Sequence, residues 1–184
     1  HEEKVWIERL NRIGIGYFRP LVAAALTPDA NTTPEERIEF FRAVERFIFL
    51  SFRMAASQSS YQSSEYYRKT RDVYTGKLFL SEVTASLITT ATNDMDNSIN
   101  SFITRTDRRF SNGGGFYDWR DLRYLLFEYE YKKAEETGIE KLGWTPFTKV
   151  EKDKVSIEHI LPQTPTKWYW RNHFRQYTED EIKI

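Results

Sequence analysis

The sequence contains no cysteine, and 27 basic side chains are balanced by 27 acidic ones. Without cysteine there is no disulfide framework, no thiol nucleophile and no zinc site built on sulfur. Without net charge, a contact with nucleic acid has to come from a local basic patch. The longest strongly apolar run, Pro20 to Leu26, is far shorter than the roughly 20 residues that span a bilayer, and no signal-peptide pattern opens the chain. We therefore expect a cytoplasmic protein without a membrane partner.

Aromatic residues are abundant, at 16% of the 184 residues, beside 40% hydrophobic and 29% charged residues. The last two values are those of an ordinary folded domain. So many large flat side chains predict a core built largely from rings. The length suits one domain, or one domain with part of a second.

Apolar residues recur at helical spacing from Val5 to about Gly138, which predicts a bundle of about seven helices. The segment Thr33-Pro34-Glu35-Glu36 is a strong helix start, because Thr caps, Pro occupies the first turn and Glu36 completes a capping box. The core face expected for the helix that follows is formed by Ile38, Phe41, Val44, Ile48 and Phe52.

Further along, two shorter amphipathic helices are expected to begin near Ser81 and Asp94, and a longer one near Asp118 that ends at Gly138. After Gly143 the pattern changes, and Val155-Ser156-Ile157 is typical of a strand. We therefore predict a helical domain over residues 1–143 and the beginning of a second module over residues 144–184.

The chain has only three histidines, at positions 1, 159 and 173. His159 follows a short extended run and Glu158, and Pro162 turns the chain just after it. Hydrolysis of a phosphodiester needs a base for the attacking water, a metal ion and an oxygen ligand that holds the ion. Glu158 and His159 offer two of these groups. The spacing alone favours another interpretation, in which His159 is a partly buried strand residue bonded to a carbonyl and Glu158 lies on the surface.

The whole string Glu158-His159-Ile160-Leu161-Pro162-Gln163 resembles the acidic-His-aliphatic-x-Pro-Gln signature that opens the HNH, or ββα-metal, nuclease motif. It is most similar to the C-terminal nuclease domain of the GmrSD-like restriction endonucleases, bacterial type IV enzymes that cut modified phage DNA. The stretch from Arg120 to Glu130 is similar to the helix that precedes the motif in that family. The resemblance covers the last third of the chain well.

Carried over to this sequence, the resemblance implies that His159 is the general base and Glu158 a metal ligand at a position where most HNH enzymes have Asp. Pro162 and Gln163 would shape the turn. A divalent ion, Mg²⁺ or Mn²⁺, is the expected cofactor, and the family's nucleotide-handling module is expected outside this chain. The expected partners are modified phage DNA and the remainder of the same polypeptide or a second subunit.

The motif also requires a downstream Asn, which the family places in a Gly-Asn-Leu segment beyond Glu181. The chain has no such segment, so we expect a truncated module that is inactive alone. Asn172 and His173 lie at a similar distance, but they do not match the family's pattern.

Basic and aromatic residues alternate from Lys167 to Tyr177, a composition that tracks phosphates and stacks on bases. The same pattern suits a helix that buries its rings and leaves its cations in solvent. The candidate DNA contacts are Lys167, Trp170, Arg171 and Arg175.

A second group of arginines is spread over residues 105–123, and it either forms a basic face or pairs with nearby aspartates. The arginines are Arg105, Arg108, Arg109, Arg120 and Arg123, and the aspartates are Asp107, Asp118 and Asp121.

The sequence thus predicts a mainly α protein, in which a multi-helix bundle is followed by a partial ββα-metal module. The expected function is that of a metal-dependent DNA endonuclease in a modification-dependent restriction system. Two alternatives stay open, namely a non-catalytic helical module for DNA recognition or assembly, and a metal-independent hydrolase that uses His159 and Glu158.

Overall fold

The computed structural model describes residues 2–27, 32–112, 119, 121–138, 143–144, 168 and 172. The described part is mainly helical, as the sequence predicted. No strand occurs within it, and the predicted strand with the start of the ββα module lies outside it. The helices are α1 (Glu2–Ile13), α2 (Arg19–Ala25), α3 (Pro34–Phe47), α4 (Ser63–Tyr74), α5 (Leu80–Ser111) and α6 (Leu122–Thr137), with a 3-10 turn at Gly16–Phe18 and a π-helical segment at Ile48–Met54.

Local signals fix two helix ends where the sequence predicted them. The Thr33 hydroxyl accepts a hydrogen bond from the Glu36 backbone N–H at 3.2 Å, and the Glu36 carboxylate accepts one from the Thr33 N–H at 2.8 Å. This capping box satisfies two backbone donors that a helix start otherwise leaves unpaired. At the other end of the bundle, Gly138 ends α6 with a φ of +69°, a left-handed conformation that glycine adopts without steric cost.

The core is built around α3, which packs against α1 on one side and α5 on another, while α2 packs against α4. Three buried rings meet at its centre. The centroid of Phe18 lies 4.9 Å from that of Tyr66 and 5.3 Å from that of Phe47, and Phe47 and Tyr66 are also 5.3 Å apart. The tilted and edge-on geometries are those that aromatic pairs prefer. The expected ring-rich core is therefore present.

The π-helical segment Ile48–Met54 continues α3 and changes which side chains face the core. Each π turn contains more residues than an α turn, so the inward face rotates. Phe41, Val44 and Ile48 are buried as predicted, but the next buried residue is Ser51, and Phe52 is only half-buried. Phe52 nevertheless faces the core as predicted, because it packs against the buried cluster with its ring 5.7 Å from that of Phe47.

The two helices expected near Ser81 and Asp94 are one helix of 32 residues, α5. The stretch of Thr, Asn and Asp around Asp94 resembles a helix start, but it contains no glycine or proline to break the helix. Asp94 is not a cap. Its carboxylate accepts hydrogen bonds from the Ser51 hydroxyl at 2.6 Å and the Tyr61 hydroxyl at 2.8 Å, so a tertiary contact uses the side chain.

Helix α6 is joined to α1 and α3 by buried polar contacts. The Glu128 carboxylate, 8% exposed, lies 2.8 Å from Arg12 Nε and 3.5 Å from Arg9 Nη1. The Tyr124 hydroxyl donates to Glu45 of α3 at 2.6 Å. We call this set, Arg9, Arg12, Glu45, Tyr124 and Glu128, the Glu128 network.

Among the described residues, no helix combines the length and the apolar character needed to cross a bilayer.

Candidate nucleic-acid interface

The site residues that the sequence predicts lie outside the described residues, so their roles stay predictions. These are Glu158, His159, Pro162, Gln163, Lys167, Trp170, Arg171 and Arg175. Two residues of the basic and aromatic stretch are described. Trp168 and Asn172 are both helical and exposed, and Trp168 is 76% exposed, so its ring is not part of the core. No cluster of three or more His, Asp or Glu residues suited to a metal ion occurs in the described part of the chain.

A small basic cavity lies between the last third of α5, the end of the π-helical segment and the residues before α6. Its volume is about 60 Å³. We call it the arginine notch, and none of the described residues that line it is acidic. The lining residues are Arg53, Phe102, Arg105, Thr106, Arg109 and Trp119.

One helix face supplies most of the arginine notch. Phe102, Arg105, Thr106 and Arg109 follow the spacing i, i+3, i+4, i+7 in α5, which places side chains in one row on an α-helix. Asp107 and Arg108 lie off this row. The regular helix thus separates two of the arginines from the nearest aspartate in sequence.

Arg53 is the most firmly positioned of the notch arginines. Its Nη2 donates to the Ile13 carbonyl at 2.8 Å, at the end of α1, and its Nε lies 3.3 Å from the Asp121 carboxylate before α6. The side chain is 19% exposed. Because it binds the ends of two helices, Arg53 is held in place without a ligand.

The other two arginines retain donors for a ligand. Arg105 Nη2 donates to the Met54 carbonyl, which leaves its remaining N–H groups available. Arg109 is half-buried, and its Nη1 atom is buried without a hydrogen-bond partner among the described residues. A buried donor without a partner is costly, which favours a ligand that can accept a hydrogen bond from the Arg109 guanidinium.

Three members of the Glu128 network, Arg9, Arg12 and Glu128, line a second, larger cleft of about 440 Å³, but the arginines of this cleft are already paired. Arg9 lies 3.2 Å from Glu45 as well as near Glu128, and Arg42 lies 3.4 Å from Glu2. Burial acts to lower the pKa of Arg9, but Glu45, Tyr124 and Glu128 together outweigh it, and the pKa is raised. This cleft has a structural ion-pair network and offers little to an added anion.

The pairing expected for the arginines of residues 105–123 stays a prediction. Asp121 is paired with Arg53, which lies outside that group, whereas Arg105 and Arg109 line the arginine notch. The sequence reasoning did not find Arg53 or Trp119. The signal for Arg53 was present, because a lone cation in the otherwise uncharged run Ile48–Met54 is expected to have a specific partner.

The comparison with family models finds a match in the C-terminal part of the chain. Residues 103–183 match the model described as GmrSD restriction endonucleases, C-terminal domain. This part of the chain is therefore similar to the C-terminal domain of that family, and we call it the GmrSD-like region. No curated protein and no solved structure matches the chain closely enough for a comparison.

The GmrSD-like region, residues 103–183, contains the Glu158-His159 motif on which the sequence resemblance rested. It begins inside α5 and includes all of α6. Four of the six residues of the arginine notch fall within it.

Proposed function

We propose that this chain is part of a metal-dependent, HNH-type DNA endonuclease of a modification-dependent restriction system. The observation that carries the proposal is the family match over residues 103–183, because it includes the complete string from Glu158 to Gln163. The proposal extends to a bacterial, cytoplasmic enzyme acting on modified phage DNA. The nucleotide-handling module and the rest of the nuclease site would belong to the remainder of the polypeptide or to a second subunit.

In the proposed reaction, His159 takes a proton from the attacking water as general base. Glu158 would hold a divalent ion, Mg²⁺ or Mn²⁺, through a carboxylate oxygen, because these hard cations prefer oxygen ligands. Such an ion would supply positive charge to offset the negative charge on the phosphate and the leaving oxygen. Pro162 and Gln163 would shape a turn that brings the adjacent Glu158 and His159 side chains towards one point. The basic and aromatic stretch from Lys167 to Arg175 would contact the DNA backbone and bases.

The test is cleavage of duplex DNA, with and without base modification, by the intact protein in the presence of Mg²⁺ or Mn²⁺. His159→Ala should lower the cleavage rate by about 100-fold or more, the usual contribution of a general base. A chelator should abolish cleavage. The matched control is His173→Ala, which removes the other internal histidine and should leave the rate unchanged.

Three results would contradict the proposal in different ways. Equal cleavage by the His159→Ala variant would remove His159 from the mechanism. Cleavage that persists in the chelator would favour a metal-independent hydrolase instead. Salt-sensitive DNA binding without any cleavage by the intact protein would favour the non-catalytic recognition module.

A further inference from the structure

The arginine notch has the chemistry of an oxyanion site. Three guanidinium groups line it and no described acidic side chain does, and one of them, that of Arg109, has a buried Nη1 atom without a hydrogen-bond partner among the described residues. We propose that the arginine notch holds one backbone phosphate of the DNA substrate. The identity of the ligand as DNA rests on the proposed function, whereas the affinity for an oxyanion rests on the geometry alone.

The chemistry of the notch suits a phosphate group. The planar guanidinium group, with its fixed fork of N–H donors, matches the oxygens of a phosphate better than any other cationic side chain does.

Two arginines of the notch are also held in position before a ligand binds. Arg53 is anchored by Ile13 and Asp121, and Arg105 is anchored by Met54. Anchored side chains lose little conformational freedom on binding, which favours affinity. The guanidinium of Arg109 adds further N–H donors, since it makes no hydrogen bond or ion pair with the described residues.

The position of the notch relates it to the nuclease rather than to the upstream bundle. Arg105, Thr106, Arg109 and Trp119 belong to the GmrSD-like region, and Arg53 reaches them from the segment that continues α3. A phosphate contact carries no base information, but it fixes the register of a protein on the duplex. The notch would therefore position DNA and would not select its sequence or modification.

The experiment measures binding of a short fluorescein-labelled DNA duplex to the intact protein by anisotropy, in a chelator so that no cleavage occurs. Arg109→Gln should raise the Kd about tenfold, the effect expected for one lost hydrogen bond between charged groups. It should also lower the slope of log Kd against log salt concentration by about one, since one phosphate contact is lost. Arg109→Lys should be intermediate, because it keeps the charge and loses the fork.

The matched control is Arg108→Gln. Arg108 is exposed on the same helix, carries the same charge and lies off the row that lines the notch. If Arg108→Gln weakens binding as much as Arg109→Gln, the effect is one of overall charge and the proposal fails. Arg109 has no hydrogen bond or ion pair to lose in the described structure, so the variant should fold, and circular dichroism checks this.

A third arm separates DNA from free phosphate. Inorganic phosphate, exchanged for chloride at constant ionic strength, should displace DNA from the wild type more effectively than from Arg109→Gln. If phosphate binds but Arg109→Gln leaves the Kd for DNA unchanged, the notch is a free-anion site and the DNA proposal is wrong. The proposed function is contradicted by a different result. In that case the intact wild type binds DNA more tightly than Arg109→Gln does, but it does not cut DNA in Mg²⁺ or Mn²⁺.

Discussion

At the scale of single residues, Glu128 connects the GmrSD-like region to the upstream helices. Its carboxylate is 8% exposed and is within 2.8 Å of Arg12 and 3.5 Å of Arg9. Arg12 also lies over the Phe127 ring, with 5.0 Å between the guanidinium carbon and the ring centroid. The ring of Trp144, just after the predicted boundary at Gly143, packs against Phe127 from another direction at 5.0 Å.

Glu128→Gln should lower the free energy of unfolding by about 3 kcal/mol, because removal of one partner leaves a poorly solvated charge without compensation. Chemical denaturation monitored by circular dichroism measures this. The control on the same helix is Glu136→Gln, whose partner Lys133 lies 3.2 Å away in a half-exposed pair. It should change stability by less than about 0.5 kcal/mol. Equal effects of the two substitutions would show that the Glu128 network is not a buried anchor.

At the scale of elements, the π-helical segment decides which side chains meet α5. It turns Ser51, which is fully buried, towards Asp94, and it places Arg53 at the arginine notch. The Ala55 N–H bonds back to the Leu50 carbonyl at 2.8 Å, which is the wider i to i−5 spacing of a π turn. The same local irregularity therefore supports a core hydrogen bond and the candidate phosphate site.

Ser51→Ala should reduce the free energy of unfolding by about 1.5–3 kcal/mol, the usual contribution of a hydrogen bond to a charged group, because Asp94 keeps only its Tyr61 partner there. The comparison is Ser59→Ala, at an exposed serine in the following turn, which should stay within about 0.5 kcal/mol of the wild type. The midpoints of denaturant unfolding, compared at an unchanged dependence of the unfolding free energy on denaturant, give both changes in stability. A neutral Ser51→Ala would mean that water replaces the hydroxyl at Asp94.

At the scale of the whole molecule, the ring-rich core makes stability depend on pH at the alkaline side. Burial raises the pKa of Tyr17, Tyr66 and Tyr124 well above the ordinary value, and the Glu45 carboxylate raises that of Tyr124 further. In the unfolded chain, tyrosine ionises near pH 10. Since these folded-state pKa values are raised, the stabilisation is complete below about pH 10 and is lost as the pH rises further.

The free energy of unfolding should therefore fall above about pH 10, by up to about 1.4 kcal/mol per pH unit for each buried tyrosine. Tyr124→Phe should make this decline shallower, although it also removes the hydrogen bond to Glu45 and lowers stability at neutral pH. Tyr74→Phe, at a residue 56% exposed, should leave the slope as in the wild type. Denaturant titrations repeated across the alkaline range measure the slopes. Identical slopes for the wild type and Tyr124→Phe would show that Tyr124 is accessible to solvent.

The helices were largely predictable from the sequence because their signals are local. The capping box at Thr33, the stop at Gly138 and the burial of Phe41 and Val44 depend on neighbours within a few residues. The sequence predicted two helices where the structure has the single helix α5. In the sequence Asp94 resembles a helix cap, and only the structure shows that its side chain binds Ser51 and Tyr61 instead. The burial of Ser51 was not predictable for a related reason, since a π turn leaves no distinct pattern in the sequence.

The sequence by itself determined the helical character, the two helix ends and the family to which residues 103–183 are similar, because periodicity, caps and a short motif are properties of consecutive residues. It also names Glu158 and His159 as the residues to test. Only the tertiary structure decided which charges are paired. Arg9 and Arg12 meet Glu128 across 116 or more positions of sequence, and Arg53 joins Arg105 and Arg109 from a different helix. Pairing depends on distances through space, which the folded packing of α1, α3, α5 and α6 sets.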